Sequence, residues 1–305
     1  MNDIKLKAVF AIANKKGGVG KTTSAQNIAA GLVKFHKPTR SNPDCKVLVI
    51  DLDEQKNISY LLGWDKKNED RNGENTIYAA LRDGSSLPVY RSTIPADGKT
   101  TDTDTERKGI WYCPASRHLA TVDADLRHHM NSKTVLCKCF NKPLLMQDAR
   151  QRIAVAGEDR EVRVSDFDYV IIDCPPSISE LTYNALAVAT DLIIPLQLES
   201  MSIQGFSEMM ETYHAVKDEL NPSLEVAGIL KVMTTDRLST AKGFSEWLRN
   251  HSPERVFNTR IRRADVINQS QAMRQSIFEY KPHSLPAIDY ENLVKEIIQV
   301  SEAFD

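Results

Sequence analysis

The sequence predicts an α/β fold, a mostly parallel, twisted sheet with helices on both faces. Three observations carry that prediction. Short apolar runs alternate with longer stretches of helical periodicity, a glycine-rich loop joins the first run to the first helical stretch, and acids or prolines stop the runs that follow. Parallel strands covered on both faces have no polar side to show, so they read as near-continuous apolar segments. Size agrees: 305 residues, 41% of them hydrophobic, suffice for a large core.

In chain order, residues 8–14 (AVFAIAN) form the first strand and residues 22–35 (TTSAQNIAAGLVKF) the first helix. Residues 46–53 (KVLVIDLD) are a second buried strand ending on two acids, and residues 168–176 (DYVIIDCPP) a third, stopped by prolines. Residues 191–199 (DLIIPLQLE) and 225–233 (EVAGILKVM) complete the set, with the helical stretch SEMMETYHAVKDEL between them. Residues 65–75 and 97–109 are polar and turn-rich, which fits exposed insertions in a single domain spanning 1–305. Between about 130 and 165 the pattern predicts one extra helical segment and a loop.

Formal net charge is −2, from 39 basic and 41 acidic side chains, so bulk charge predicts neither nucleic-acid nor membrane binding. Any such partner must meet a local patch. No run approaches the ~18 uninterrupted apolar residues of a membrane span. The start MNDIKLKAVFAIAN enters a strand without a signal-peptide cleavage pattern, and a cytoplasmic protein is expected. Cys45, Cys113, Cys137, Cys139 and Cys174 are odd in number and scattered, the pattern of reduced thiols. Cys137 and Cys139 have neither a second pair nor a histidine at metal-ligand spacing.

The chemistry concentrates in NKKGGVGKTT, residues 14–23. A glycine-rich turn between strand and helix lets backbone N–H groups converge on phosphate oxygens, helped by the positive end of the helix. Gly17, Gly18 and Gly20 permit the close approach, Lys21 is placed to reach the β- and γ-phosphates, and the Thr22 hydroxyl to ligand Mg²⁺. Asp51, Asp53 and Asp173 end strands beside the loop, where an open parallel sheet binds its ligand. A carboxylate there can order the water shell of Mg²⁺ or orient the water that attacks the γ-phosphate.

KKGGVGKTT, with its additional lysine before the glycines, resembles the deviant Walker A box of the ParA/MinD ATPases. VLVIDLDEQKNIS is similar to their Walker A′ segment, DYVIIDCPPSISELTYNALAVATDLIIPLQLESMSIQG to their Walker B and switch region, and VFNTRIRRADVINQSQAMRQSIFEYKPHSLPAIDYENLVKEI to the closing segment of ParA proteins. The resemblance implies a P-loop NTPase fold of the deviant Walker A type, with ATP and Mg²⁺ as cofactors. It implies that Lys16, Gly17, Gly18, Val19, Gly20, Lys21, Thr22 and Thr23 bind the nucleotide, and that Lys16 reaches across an ATP-dependent homodimer to the phosphates held by the other subunit. Asp53 then positions the hydrolytic water, Asp173 is the Walker B acid, and Thr22, Asp51 and Asp173 form the metal set. Lys15 is expected to be a solvated neighbour. Where the family commonly reads Asp-Pro-Gln-Gly-Asn, residues 53–57 here read DEQKN, which adds an acid and puts Lys56 in place of a glycine.

MinD-like members end in a basic amphipathic helix that lies on lipid. This chain ends YENLVKEIIQVSEAFD, with three acids in its last ten residues, the wrong electrostatics for an anionic bilayer. ParA-like members bind DNA without sequence preference when dimeric. Arg249, Arg255, Arg260, Arg262, Arg263 and Arg274 stand against only Glu254 and Asp265 in one segment, and the DNA-binding candidates are Arg249, Arg260, Arg262 and Arg263 from it together with Arg237. The expectation is a nucleoid-associated partition ATPase for plasmid or chromosome, released from DNA when a ParB-like centromere-binding protein stimulates hydrolysis, with no N-terminal helix-turn-helix domain. The same switch moving a protein compartment or receptor array is the alternative. An iron–sulfur enzyme of similar fold would need cysteines at a dimer axis, and neither Cys113 nor Cys174 resembles such a motif.

Overall fold

Side chains of successive strand residues point to opposite faces of a sheet, so an all-apolar strand supplies two cores at once. The computed structural model describes residues 6–37, 44–64, 73–94, 105–126, 131–146, 155–156, 160–198, 202–235, 248 and 255–302. In it nine strands make one sheet: β1 (Ala8–Ile12), β2 (Val47–Asp51), β3 (Pro88–Ile94), β4 (Thr105–Cys113), β5 (Leu145–Met146), β6 (Tyr169–Asp173), β7 (Asp191–Gln197), β8 (Glu225–Thr234) and β9 (Val256–Arg262). Their order is β5-β3-β4-β2-β6-β1-β7-β8-β9, and every pairing is parallel except β3 with β4. The described helices are α1 (Lys21–Phe35), α2 (Asn57–Leu61), α3 (Ile77–Asp83), α4 (Leu119–Leu126), α5 (Val135–Phe140), α6 (Glu180–Val188), α7 (Ser202–Glu219), α8 (Asp265–Ala272), α9 (Ile277–Tyr280) and α10 (Leu285–Glu302).

The alternation is visible in the core. Phe10, Val49 and Ile171 pack with Ile28 and Leu32 of α1 and with Leu293 and Ile297 of α10 on one face. Their neighbours Val9, Ile50 and Ile172 pack with Leu81 of α3, Leu186 of α6 and Met209 of α7 on the other. Residues 105–109, expected within a polar insertion, belong to β4, while residues 65–72 and 95–104 lie outside the described residues. The extra helix expected near 130–165 includes Val135–Phe140.

β9 is an edge strand, and acids of α10 cover its outward groups. Glu296 accepts the N–H groups of Asn258 and Thr259 at 2.9 and 2.8 Å, and Asp289 accepts that of Arg262 at 3.1 Å. This occupies donors that would otherwise recruit another strand. No helix among the described residues is long and apolar enough to cross a membrane.

Candidate functional site

β6 lies between β1 and β2, and its last residue, Asp173, is the register partner of Ile12 on one side and of Asp51 on the other. The chain passes from β1 to β2 on one side and later crosses from β6 to β7 on the other side of β1, which opens a crevice at these carboxyl ends. Residues between β1 and α1 fill its mouth. Gly18 and Gly20 hold φ of 73 and 74, the left-handed region that glycine enters without steric cost. Gly20 is the N-cap of α1 and makes no side-chain cap, so the helix presents bare N–H groups to the loop. Asn14, 2% exposed, fixes the loop from below: its Nδ2 donates to the Pro195 carbonyl at 2.7 Å and its Oδ1 accepts the Lys16 N–H at 2.9 Å.

Lys21 is buried, and its Nζ donates to the carbonyls of Asn14 and Lys16 at 3.0 and 3.1 Å. Burial pulls its pKa below the ordinary lysine value, against the attraction of Asp173. Thr22 Oγ1 donates to Asp173 Oδ2 at 2.7 Å. Asp173 Oδ1 is buried and has no hydrogen-bond partner among the described residues. Burial first, and the nearby Asp51 second, raise the Asp173 pKa well above the carboxylate range. A hydroxyl beside an orphaned carboxylate oxygen is a donor set that fits Mg²⁺, which takes hard oxygen ligands and few of them from the protein.

Asp51 and Asp53 both shape the turn that follows β2. Asp51 Oδ1 accepts the Asp53 N–H at 3.0 Å, and its Oδ2 accepts the N–H and hydroxyl of Ser59 at 3.0 and 2.6 Å. Both oxygens thus pin the turn and α2. Burial raises its pKa despite these hydrogen bonds. Asp53 is 8% exposed and opens the turn, accepting the Gln55 N–H on Oδ1 at 3.0 Å and the Lys56 N–H on its carbonyl at 2.9 Å. Lys56 takes φ 58, so a lysine makes the left-handed step suited to glycine.

A protein-family model for an AAA domain matches residues 7–226. ParA, the chromosome partitioning protein of Myxococcus xanthus, is 30% identical over 291 residues, which cover 95% of this chain and 88% of that protein. Soj, the chromosome-partitioning ATPase of Thermus thermophilus, is 30% identical over 295 residues, 96% of this chain and 97% of its own. This chain belongs to the ParA/Soj family of P-loop ATPases. Among solved structures, the cobyrinic acid a,c-diamide synthase of Mycobacterium smegmatis with bound ADP and magnesium matches at a TM-score of 0.69 and 24% identity, covering 98% of this chain and 96% of that one, a likeness of fold.

Beside the ParA/Soj phosphate loop, Lys15 is not simply solvated: it is half exposed and ion-paired to Glu208 of α7. Val19 is buried under the loop and Lys16 is half-buried. Thr23 accepts a hydrogen bond on Oγ1 from Gln271 Nε2 at 2.7 Å. Within the arginine segment Arg260 and Arg262 lie on β9, with Arg255 and Arg263 just outside its ends, and its members part company. Arg255, Arg260 and Arg263 are exposed. Arg262 is bidentate on Asp289, with Nε and Nη2 each at 2.7 Å, and Arg274 is 1% exposed, so neither offers a whole guanidinium to DNA. Arg237 and Arg249 lie outside the described residues. A groove of about 510 Å³ beside Arg260 mixes that residue and Lys295 with Asp289 and Glu296. All five cysteines are free, and Cys139 donates to the Ala80 carbonyl at 3.3 Å. Sequence reasoning gave no role to Ser59 or Gln271 and grouped Arg274 with the arginine segment; Gln271 and Arg274 act by contacts that span 248 and 214 residues.

Proposed function

We propose that this chain is a partition ATPase whose Mg·ATP-bound homodimer binds DNA without sequence preference and lets go when a ParB-like protein stimulates hydrolysis. The observation that carries the reading is the Thr22–Asp173 contact at the mouth of the loop, with one Asp173 oxygen buried and unpartnered among the described residues. Kinship with partitioning proteins of two bacteria supports the cellular role.

In this reading the open N–H groups of residues 17–21 receive the phosphates, and Lys21 exchanges its two carbonyl partners for β- and γ-phosphate oxygens. Thr22 and Asp173 hold Mg²⁺, which offsets phosphate charge when bound. Asp51 keeps the turn in shape. Asp53, held at that turn, orients the attacking water, and Lys16 brings a cation across the dimer to the partner's nucleotide, where two sets of phosphates meet. DNA contacts fall to Arg260 and Arg263, with Arg237 and Arg249 as further candidates, and the protein works at the nucleoid.

The test is DNA binding by purified protein with no nucleotide, with ADP and with ATP, each with Mg²⁺. Binding confined to the ATP state, and equal for unrelated duplexes, is expected. Equal affinity in all three states would sink the reading, and an ATP dimer without DNA affinity would point to a cargo system that uses another surface.

A further inference from the structure

Arg274 is 1% exposed, carries a guanidinium and holds φ 55. A non-glycine residue stays in the left-handed region only where its surroundings over-determine it, and such outliers cluster where geometry matters to function. The surroundings here are specific. Arg274 Nε donates to the Tyr60 carbonyl and Nη2 to that of Trp64, both at 2.8 Å, and its guanidinium carbon lies 3.7 Å from the centroid of the Tyr60 ring. The Arg274 carbonyl accepts a hydrogen bond from Arg107, which also holds the Leu61 carbonyl at 3.0 Å. Two buried cations thus secure the carbonyl end of α2, the helix that begins at the Asp53 turn. From the sheet side, Asp51 secures the same helix at Ser59.

The segment around Arg274 also grips the other half of the site. Upstream, Gln271 donates to Thr23 at 2.7 Å, and downstream the Ile277 N–H donates to Asn27 Oδ1 at 2.7 Å. Thr23 and Asn27 lie on α1, which begins at the phosphate loop. One short piece of chain therefore holds α1 at two points and α2 at the point between.

We infer that Arg274 is a positioning residue for Asp53: it fixes α2, and with it the Asp53 turn, at a set distance from the phosphate loop. Arg274 touches no substrate and acts through Asp53, so the inference rests on the water-orienting role proposed above. A displacement of about 1 Å at a reacting group can cost about a hundredfold in rate. The loss should fall on the chemical step, because Lys21 and the loop N–H groups that bind the phosphates stay in place.

The experiment is a double-mutant cycle on single-turnover ATP hydrolysis, with ATP affinity and thermal melts measured on each protein. Arg274→Met should slow hydrolysis about ten- to a hundredfold while ATP affinity stays within about twofold. Arg274→Lys, which keeps the charge but not the fork, should recover part of the rate. In an Asp53→Ala background Arg274→Met should add no further loss, since both changes remove the same function. The same fractional loss in both backgrounds, or an affinity that falls in step with the rate, overturns the inference. Asp53→Ala turning over like wild type overturns the Asp53 reading itself, an outcome seen before Arg274 is touched. Should Arg274→Met not fold, Tyr60→Leu removes the exposed half of the clamp, and an unchanged rate in both Tyr60→Leu and Arg274→Lys is equally decisive against it.

Discussion

Lys21 Nζ lies 3.0 Å from the Asn14 carbonyl and 3.1 Å from the Lys16 carbonyl, inside a loop that buries it. Lys16, in the same loop, is half-buried, with its N–H tied to Asn14. On the proposed reading the two lysines meet phosphate from different sides, Lys21 within its own subunit and Lys16 across the dimer. Lys16→Ala should leave much of the monomer's ATP binding while abolishing the ATP-dependent dimer. Light scattering with Mg·ATP checks this, and a normal dimer from the mutant would remove Lys16 from the interface. Asp51 shows how much residue type alone leaves open. An acid at a strand end beside a phosphate loop reads as a metal ligand, yet its two oxygens serve Asp53 and Ser59. Residue type does not reveal that, because which donors a carboxylate meets depends on how the turn and α2 fold back on it.

At the scale of elements, α1 and α10 pack closely over one face of the sheet, and Gly31 marks the contact. A Cβ there would stand 2.6 Å from Val294 Cγ2 and 3.1 Å from Phe278 Cε2. Gly31→Ala should gain about 1 kcal/mol of helix propensity and lose about 1–3 kcal/mol to overpacking. The expected net effect is a lower Tm, by a few degrees at most in a chain of this size. A smaller drop in a Val294→Ala background would locate the clash, whereas a raised Tm in the single mutant would show that the helix pair yields freely. Elements differ in how plainly they announce themselves. β1, β2, β6 and β7 were legible because both their faces are buried. β3 and β9 alternate buried with half-exposed positions, and β4 opens on exposed residues, so their patterns blend into loops. In β9 the arginines outweighed the strand signal altogether.

Over the whole molecule, a sequence-neutral DNA surface must be built from charge on the outside, and the fold thins the available set. Arg262→Glu would break the pair with Asp289 and disturb the edge strand, so Arg260 and Arg263 are the cleaner test. Replacing both by Glu should weaken binding to unrelated duplexes alike while leaving the ATP dimer and basal turnover intact. Log affinity of the unmodified protein should fall with log salt by about 0.9 for each phosphate contact, and a dimer doubles the contacts that act at high effective concentration on one duplex. Gel shifts over a salt series measure both, and full binding after the double replacement would move the DNA face elsewhere. The phosphate loop, the strand-end acids and the family are legible in the residues alone, because the loop is contiguous chain between a strand and a helix and its chemistry is local. Which arginines face solvent, and what ties α1 and α2 to the far end of the chain, came only with the tertiary fold. Gln271 reaches Thr23 across 248 residues and Arg274 reaches Tyr60 across 214. Contacts of that span leave no periodicity and no spacing in the sequence; they exist only once the sheet has brought the chain's end beside its beginning.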